Sequence, residues 1–300
     1  MNFWIIIGGT ISPMQVNRYT SAPKLKEPGI IFLCTVIVIL STPALCQDEI
    51  EYGSNNGIYL SVSGTKLYYE EYGEGVPLIL IHGGLSSMGY YRLVVPELSN
   101  HFRVILVDSP GHGRSFHADS LSYQLMADHF SEMIDLMDLD SVIVMGCSDG
   151  AIVALILAHD RPQKIKKVIS DSGLSGLSGY TIKGLEWLKT FDPQSRNRNW
   201  VENYKKTNPE CNRWIDFLSD AKVMWLQEEY ITKNELGNIK CPTLLIMGDR
   251  DYFIPIAHGI QLHYAISNSE LCILPDMGHA VCNKKPAIVN PILLDFLTKR

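Results

Sequence analysis

The run Ser141-Val142-Ile143-Val144-Met145 passes through Gly146-Cys147-Ser148-Asp149-Gly150 directly into the apolar stretch Ala151–His159. No other feature constrains the fold as strongly. A strand that reverses into a helix within one turn forces the residue at the apex into a strained backbone conformation. Gly146 and Gly150 lack a Cβ, so strand and helix can pack closely around that turn. The hydroxyl of Ser148 is then expected to stand clear of the sheet. The helix N-terminus behind it favours developing negative charge.

The rest of the chain repeats the alternation. Tyr59–Val62 and Lys66–Glu71 read as an opening hairpin around Ser63-Gly64-Thr65. Val76–Ile81, a continuous apolar run ending in His82-Gly83-Gly84, suits a strand buried on both faces of a parallel sheet. Phe102–Val107, Ile165–Ser170, Thr243–Met247 and Leu271–Leu274 are further strands. Ser122–Leu139 carries apolar residues at helical spacing, and Ala287–Lys299 closes the chain as an amphipathic helix. Strands alternating with helices predict an α/β fold, a mostly parallel sheet with helices on both faces and right-handed crossovers. Residues 173–238 interrupt the pattern. They hold Trp187, Trp200, Trp214 and Trp225 and no clear strand, and read as a helical lid insertion over the C-terminal edge of the sheet. Those tryptophans are expected mainly to pack the lid, with an apolar acyl pocket as the other reading.

The first 46 residues read differently from the rest. Lys24 and Lys26 precede the apolar run Gly29–Leu40, and Pro43 and small residues follow, as in a secretory signal. Export is expected, to a periplasmic or extracellular space, with a retained membrane anchor as the alternative. Cys46 makes an imperfect end to a cleavage box. Residues 47–300 are then the folded domain. The net charge of −6 argues against nucleic acid as the main partner, since backbone binding needs clustered Lys and Arg. Membrane contact is expected only if the N-terminal segment is kept. The seven cysteines form no CxxC pair and no zinc spacing, and do not resemble a disulfide framework.

A serine hydroxyl is a weak nucleophile and needs a base oriented by a third group. Two loops after strands can supply them: Gly248-Asp249-Arg250-Asp251 and Asp276-Met277-Gly278-His279. Asp251, three residues past Gly248 where the loop has turned back, is preferred over Asp249 and over Asp171. His279, on a Gly-preceded loop after the last strand, is preferred over His82, His112, His258 and His263.

From about Ile58 to Arg300 the chain resembles an α/β-hydrolase-fold serine hydrolase. The features that match in order are His82-Gly83, Asp108-Ser109-Pro110-Gly111-His112-Gly113-Arg114-Ser115, the turn at Ser148, Gly248–Asp251 and Gly278-His279. The resemblance implies a triad of Ser148, Asp251 and His279. It also implies an oxyanion hole from the backbone amides of Gly84 and Asp149, with Leu85 as fallback, and gives His82 and the 108–115 loop a structural role. It implies no metal or organic cofactor, and a small-molecule acyl substrate. The Ser-Asp-Gly turn is similar to the valacyclovir-hydrolase-like group, in which the acid meets a substrate ammonium. Asp149 is read first as support for the helix N-terminus and second as a cation site. Cleavage of a carboxylic ester is the leading expectation. Carbon–carbon bond hydrolysis or perhydrolysis on the same triad, and a non-catalytic ligand-binding module, are the alternatives.

Overall fold

The structure is a computed structural model that describes residues 4–7, 10–13, 56–194 and 198–299. The chain divides into two compact units, Met1–Cys46 and Gln47–Arg300. In the first, β1 (Trp4–Ile7) and β2 (Thr10–Pro13) pair antiparallel. Of the secretory or anchoring segment read at 1–46, all but residues 4–7 and 10–13 lies outside the described residues. No helix among the described residues is long and apolar enough to cross a membrane.

The second unit is built on an eight-stranded sheet. Its strands are β3 (Ile58–Val62), β4 (Thr65–Tyr72), β5 (Pro77–Ile81), β6 (Arg103–Val107), β7 (Val142–Cys147), β8 (Ile165–Asp171), β9 (Thr243–Gly248) and β10 (Ser269–Leu274). They lie in the order β10-β9-β8-β7-β5-β6-β4-β3. The opening hairpin β3–β4 is antiparallel, and β4 meets β6 antiparallel; every other pairing is parallel. Side chains alternate across the pleat, so each buried strand feeds two cores. On β5, Ile79 and Ile81 face one core while Leu78 and Leu80 face the other. The expectation of a strand buried on both sides is met because both faces carry helices.

On one face, α2 (Tyr123–Leu136) and α3 (Asp149–Asp160) pack together, with α8 (Ile256–Ala265) against β9 and β10. On the other lie α1 (Val95–Leu98) and α9 (Pro286–Thr298), whose Val289, Leu293 and Phe296 join Leu78, Leu80 and Met145. Ser122 starts α2 by accepting the Leu125 amide on its hydroxyl at 3.1 Å. From Asp149 to Ala158 every residue of α3 is buried. A helix that is apolar all round must be enclosed, and α3 lies between the sheet and α2, with the helix Lys233–Asn238 also against it.

Between β8 and β9 the chain forms α4 (Ile182–Thr190), α5 (Arg198–Thr207), α6 (Trp214–Trp225) and α7 (Lys233–Asn238). Thr232 and Glu235 form a reciprocal capping box at the start of α7. The five described cysteines, Cys147, Cys211, Cys241, Cys272 and Cys282, are all free thiols.

The turn into α3 depends on two close approaches. A Cβ on Gly146 would sit 2.0 Å from the carbonyl oxygen of Gly150, and one on Gly150 would sit 2.1 Å from that of Ile81. Both obstacles are backbone and cannot rotate away. Gly150→Ala is therefore expected to destabilise the protein by about 1–3 kcal/mol through overpacking. That corresponds to a fall in Tm of several degrees, read by calorimetry. An unchanged Tm would show that strand and helix can separate at no cost.

Candidate active site

Ser148 occupies the apex of the turn with φ +51° and ψ −115°, outside the regions L-residues favour. Such a conformation costs on the order of 1–3 kcal/mol and survives only where the surroundings fix it. Here the Ser148 amide donates to the Asp171 carbonyl at 2.8 Å, and the Ser148 carbonyl accepts from Ala151 and Ile152 at 2.9 and 3.1 Å. The hydroxyl is left facing the loops beyond the C-terminal ends of the strands.

Those loops bring the acid and the base. His279 Nε2 lies 3.0 Å from Ser148 Oγ. Its Nδ1 lies 2.8 Å from Asp251 Oδ2 and 3.1 Å from Oδ1. The Asp251 carboxylate is fully buried and also accepts the amides of Phe253 and Ile254 at 2.8 and 3.1 Å. With Asp251 accepting at Nδ1, the imidazole carries its proton there and turns Nε2 toward the serine as an acceptor. Asp249 is not part of this chain of contacts; it is exposed, and its Oδ1 accepts the Met277 amide at 3.3 Å.

Asp171, weighed from sequence as a possible acid, does something else. Its buried carboxylate accepts the amides of Val281 at 3.1 Å and Cys282 at 3.0 Å, just beyond His279. It also accepts the Tyr90 hydroxyl at 2.8 Å and the Ser172 hydroxyl at 3.1 Å. Ser172 Oγ in turn accepts the Ala280 amide at 3.1 Å. Asp171 thus holds the Ser148 turn through its backbone, and the His279 loop and Tyr90 through its side chain. Its place at the end of a strand marked it as a candidate, but sequence alone could not show which loop it would reach.

Gly84, Leu85 and Asp149 line the cavity beside Ser148, so the segments expected to supply oxyanion amides border the site. Leu85 has φ +56°, a sharp turn directly after Gly84. A Cβ on Gly84 would lie 2.4 Å from Asp149 Oδ2, so glycine is required for the two segments to meet. Asp149 is 4% exposed. Tyr123 donates to its Oδ1 at 2.9 Å and Trp225 Nε1 to its Oδ2 at 2.8 Å. Burial pushes this carboxyl up, opposed by those two hydrogen bonds. Both oxygens are committed to neutral donors, one of them on α6, so Asp149 ties the inserted helices to the turn.

His82 and the 108–115 loop form a separate scaffold. The Ser109 amide donates to His82 Nε2 at 3.0 Å, which puts the ring proton on Nδ1, facing the Gly83 carbonyl at 2.8 Å. Burial lowers the His82 pKa, consistent with a neutral ring. Asp108 accepts the amides of Met88 and Arg114, both at 2.8 Å. His112 is buried against His82 and Phe217, and burial holds its pKa well below the usual value. His258 is buried and its Nε2 accepts the Ser175 amide at 3.1 Å. His263 Nδ1 faces the Ser269 hydroxyl at 2.9 Å.

The cavity over Ser148 has a volume of about 260 Å³. Inserted residues Tyr180, Trp187, Leu188, Trp200 and Trp225 line it opposite Phe253 and Ile254. Three of the four inserted tryptophans therefore face the site. Trp214 is the exception at this cavity, packing on Tyr204 and Phe217. Phe253 bridges the two parts, with its ring centroid 5.1 Å from His279 and 5.4 Å from Trp187.

Residues 76–204 match a family profile described as alpha/beta hydrolase fold. The chain has the α/β-hydrolase fold, and serine hydrolases of that fold are among its relatives. It is 28% identical to a 2-hydroxy-6-oxo-6-phenylhexa-2,4-dienoate hydrolase of Comamonas testosteroni, over 78% of this chain and 92% of that one. To the serine hydrolase BPHL of Homo sapiens it is 26% identical, over 79% of this chain and 85% of the relative. Among solved structures, a meta-cleavage product hydrolase of Pseudomonas fluorescens superimposes with a TM-score of 0.67 at 21% identity, covering 80% and 97%. A carboxylesterase of Bacillus subtilis gives 0.66 at 20%, covering 81% and 92%. At these identities the solved structures establish the fold alone.

Asp171→Ala leaves the Val281 and Cys282 amides without an acceptor, at a cost of about 1–3 kcal/mol for each buried group. It also frees the loop that carries the hydrolase's imidazole. A misplacement of about 1 Å costs roughly 10²-fold in rate, so labelling of Ser148 by a fluorophosphonate is expected to slow by about that factor. Asp171→Asn keeps one acceptor oxygen and should recover part of the loss. Labelling at the wild-type rate in both variants would remove Asp171 from the positioning of His279.

Proposed function

We propose that the hydrolase cleaves a small carbonyl compound through an acyl-enzyme on Ser148. The observation that carries this reading is the continuous contact from Ser148 Oγ through His279 to Asp251. In the proposed cycle His279 Nε2 takes the Ser148 proton as Oγ attacks the carbonyl carbon. The backbone amides of Gly84 and Asp149 hold the oxyanion, a term worth about 10²–10³ in rate per donor. The leaving group departs with the proton from His279. Water, deprotonated by the same base, then attacks the acyl carbon, Ser148 leaves with its proton, and a carboxylic acid is released.

Two leaving groups fit this cycle. For an ester the proton goes to an alcohol oxygen; for a carbon–carbon bond next to a ketone it goes to carbon. The dienoate hydrolases among the relatives favour the carbon–carbon reading, which moves ahead of the ester expected from sequence. The ester keeps support from the generality of the triad. The cavity lining is apolar apart from the Ser148, His279 and Asp149 cluster, Ser86 and the tyrosines, which suits an apolar acyl group.

A fluorophosphonate is expected to label the native protein at Ser148 and to leave Ser148→Ala unlabelled. Turnover of a vinylogous 1,5-diketone against acetate and butyrate esters then ranks the two bonds. No adduct under native conditions, with no turnover of either class, would favour a ligand-binding module.

We also propose export, with residues 1–46 as the signal and membrane anchoring through that segment as the alternative. It rests on the basic residues, apolar run and Pro43 of that segment. N-terminal sequencing of the protein from its native host is expected to find a start shortly after residue 46. An intact N-terminus in the cytosolic fraction would refute it.

A further inference from the structure

Three helix ends meet at one carboxylate. Asp149 is the first residue of α3, Tyr123 the first of α2 and Trp225 the last of α6. Tyr123 donates to Asp149 Oδ1 at 2.9 Å, and Trp225 Nε1 donates to Oδ2 at 2.8 Å. Gly84 completes the cluster. A Cβ there would lie 2.4 Å from Asp149 Oδ2 and 3.0 Å from Trp225 Cζ2, so carboxylate and indole both rest against that backbone. The two segments assigned to the oxyanion thus touch through the Asp149 side chain.

The partners are themselves held. Trp225 and Tyr123 are buried. The Trp225 ring packs on Phe191 and Trp187, with centroids 5.8 and 6.3 Å away. Tyr230 donates its hydroxyl to the Trp225 carbonyl, and its ring centroid lies 4.5 Å from that of Tyr123. The inserted helices therefore fix the indole, and the indole fixes the carboxylate. An indole N–H can only donate, whereas a tyrosine hydroxyl donates or accepts. Trp225 thus requires Oδ2 to be an acceptor, and Tyr123 adapts to whatever stands at Oδ1.

We propose that Trp225 and Tyr123 are positioning residues for the oxyanion hole, acting through the Asp149 carboxylate. The proposal rests on the acyl-enzyme reading and adds a requirement to it. The insertion walls the cavity and also presses the carboxylate against Gly84, which sets the spacing of the Gly84 and Asp149 amides. The site is complete only while the inserted helices lie over it. The acid of the Ser-Asp-Gly turn then serves the fold, since both its oxygens are occupied without a substrate cation. Asparagine can meet the same demand, with its amide oxygen toward Trp225 and its NH2 toward the Tyr123 oxygen; alanine meets neither.

The test measures turnover of 4-nitrophenyl butyrate and protection of Ser148 from a fluorophosphonate by two ketones. One is a trifluoromethyl ketone, the other its methyl counterpart. Ser148 Oγ adds to the trifluoromethyl ketone, its proton passes to His279, and the carbonyl oxygen becomes an oxyanion. The methyl ketone binds without that addition. Trp225→Phe keeps an aromatic ring but no N–H. Tyr123→Phe removes a hydroxyl outside the cavity wall. Each is expected to lower kcat about tenfold, part of the roughly 10²–10³ carried by one oxyanion donor. KM should stay within about threefold, as for an interaction made in the transition state. The trifluoromethyl ketone should weaken by the factor lost in kcat, and the methyl ketone should not. Asp149→Asn should recover most of the kcat that Asp149→Ala loses.

Wild-type kcat in Tyr123→Phe alongside a loss in Trp225→Phe would show the indole acting on the substrate directly, and would overturn the proposal. Equal weakening of both ketones would overturn it too, as the mark of a cavity loosened as a whole. If Trp225→Phe does not fold, Tyr123→Phe and the two Asp149 variants decide. A wild-type protein that turns over no ester and takes no fluorophosphonate label fails on the acyl-enzyme reading itself, and the proposal falls with it.

Discussion

The hydrogen bond from the Ser148 amide to the Asp171 carbonyl, 2.8 Å long, joins the strained turn to the neighbouring strand. The rest of the site depends on it. A non-glycine residue at φ +51° relaxes unless its neighbours prevent it. Gly146 and Gly150 let α3 close against β5 and β7, and α3 is buried in the core on one face of the sheet. Several kcal/mol of burial in that helix maintain one unfavourable backbone conformation. The orientation of Ser148 is therefore a property of the whole sheet rather than of its loop.

The same residue coordinates the opposite side of the site. The side chain of Asp171 grips the backbone past His279 and the hydroxyl of Tyr90, while Asp251 accepts at His279 Nδ1. Two carboxylates flank the His279 loop and do different work. One faces the imidazole; the other faces only backbone amides, hydroxyls and thiol-bearing neighbours. Hydrogen-bond partners decide between them, since both carboxylates are buried at the ends of parallel strands.

Much of the sheet was legible because each strand carries its own signal. Apolar runs such as Leu78–Ile81 and Val142–Met145 have nowhere to go but a doubly covered sheet, and the turn residues between them stop each run. The Ser148 region was legible for a similar reason, since glycines flanking a serine between strand and helix leave little geometric choice. What escaped the sequence is tertiary. Asp149 was read as support for a helix end, yet its carboxylate reaches Trp225, 76 residues away. The inserted tryptophans were expected chiefly to pack, but Trp187, Trp200 and Trp225 face the cavity. Helical spacing tells which residues share a face and not what that face meets.

The charge of the site follows the same logic of place over composition. A net charge of −6 spread over the surface weakly repels an anion at a distance. Screening limits that effect to about 10 Å at 0.1 M salt. Within a cleft only the nearest groups count. Around Ser148 the nearest carboxylates, Asp149, Asp171 and Asp251, are all buried and hydrogen-bonded to donors of the fold itself. The cations Arg92 and Lys206 remain exposed on the adjoining wall. An incoming molecule meets negative charge already hydrogen-bonded within the fold and positive charge with no ion-pair partner among the described residues. What a molecule meets at the site is thus set by which charges the fold has already paired and not by the total charge of the protein.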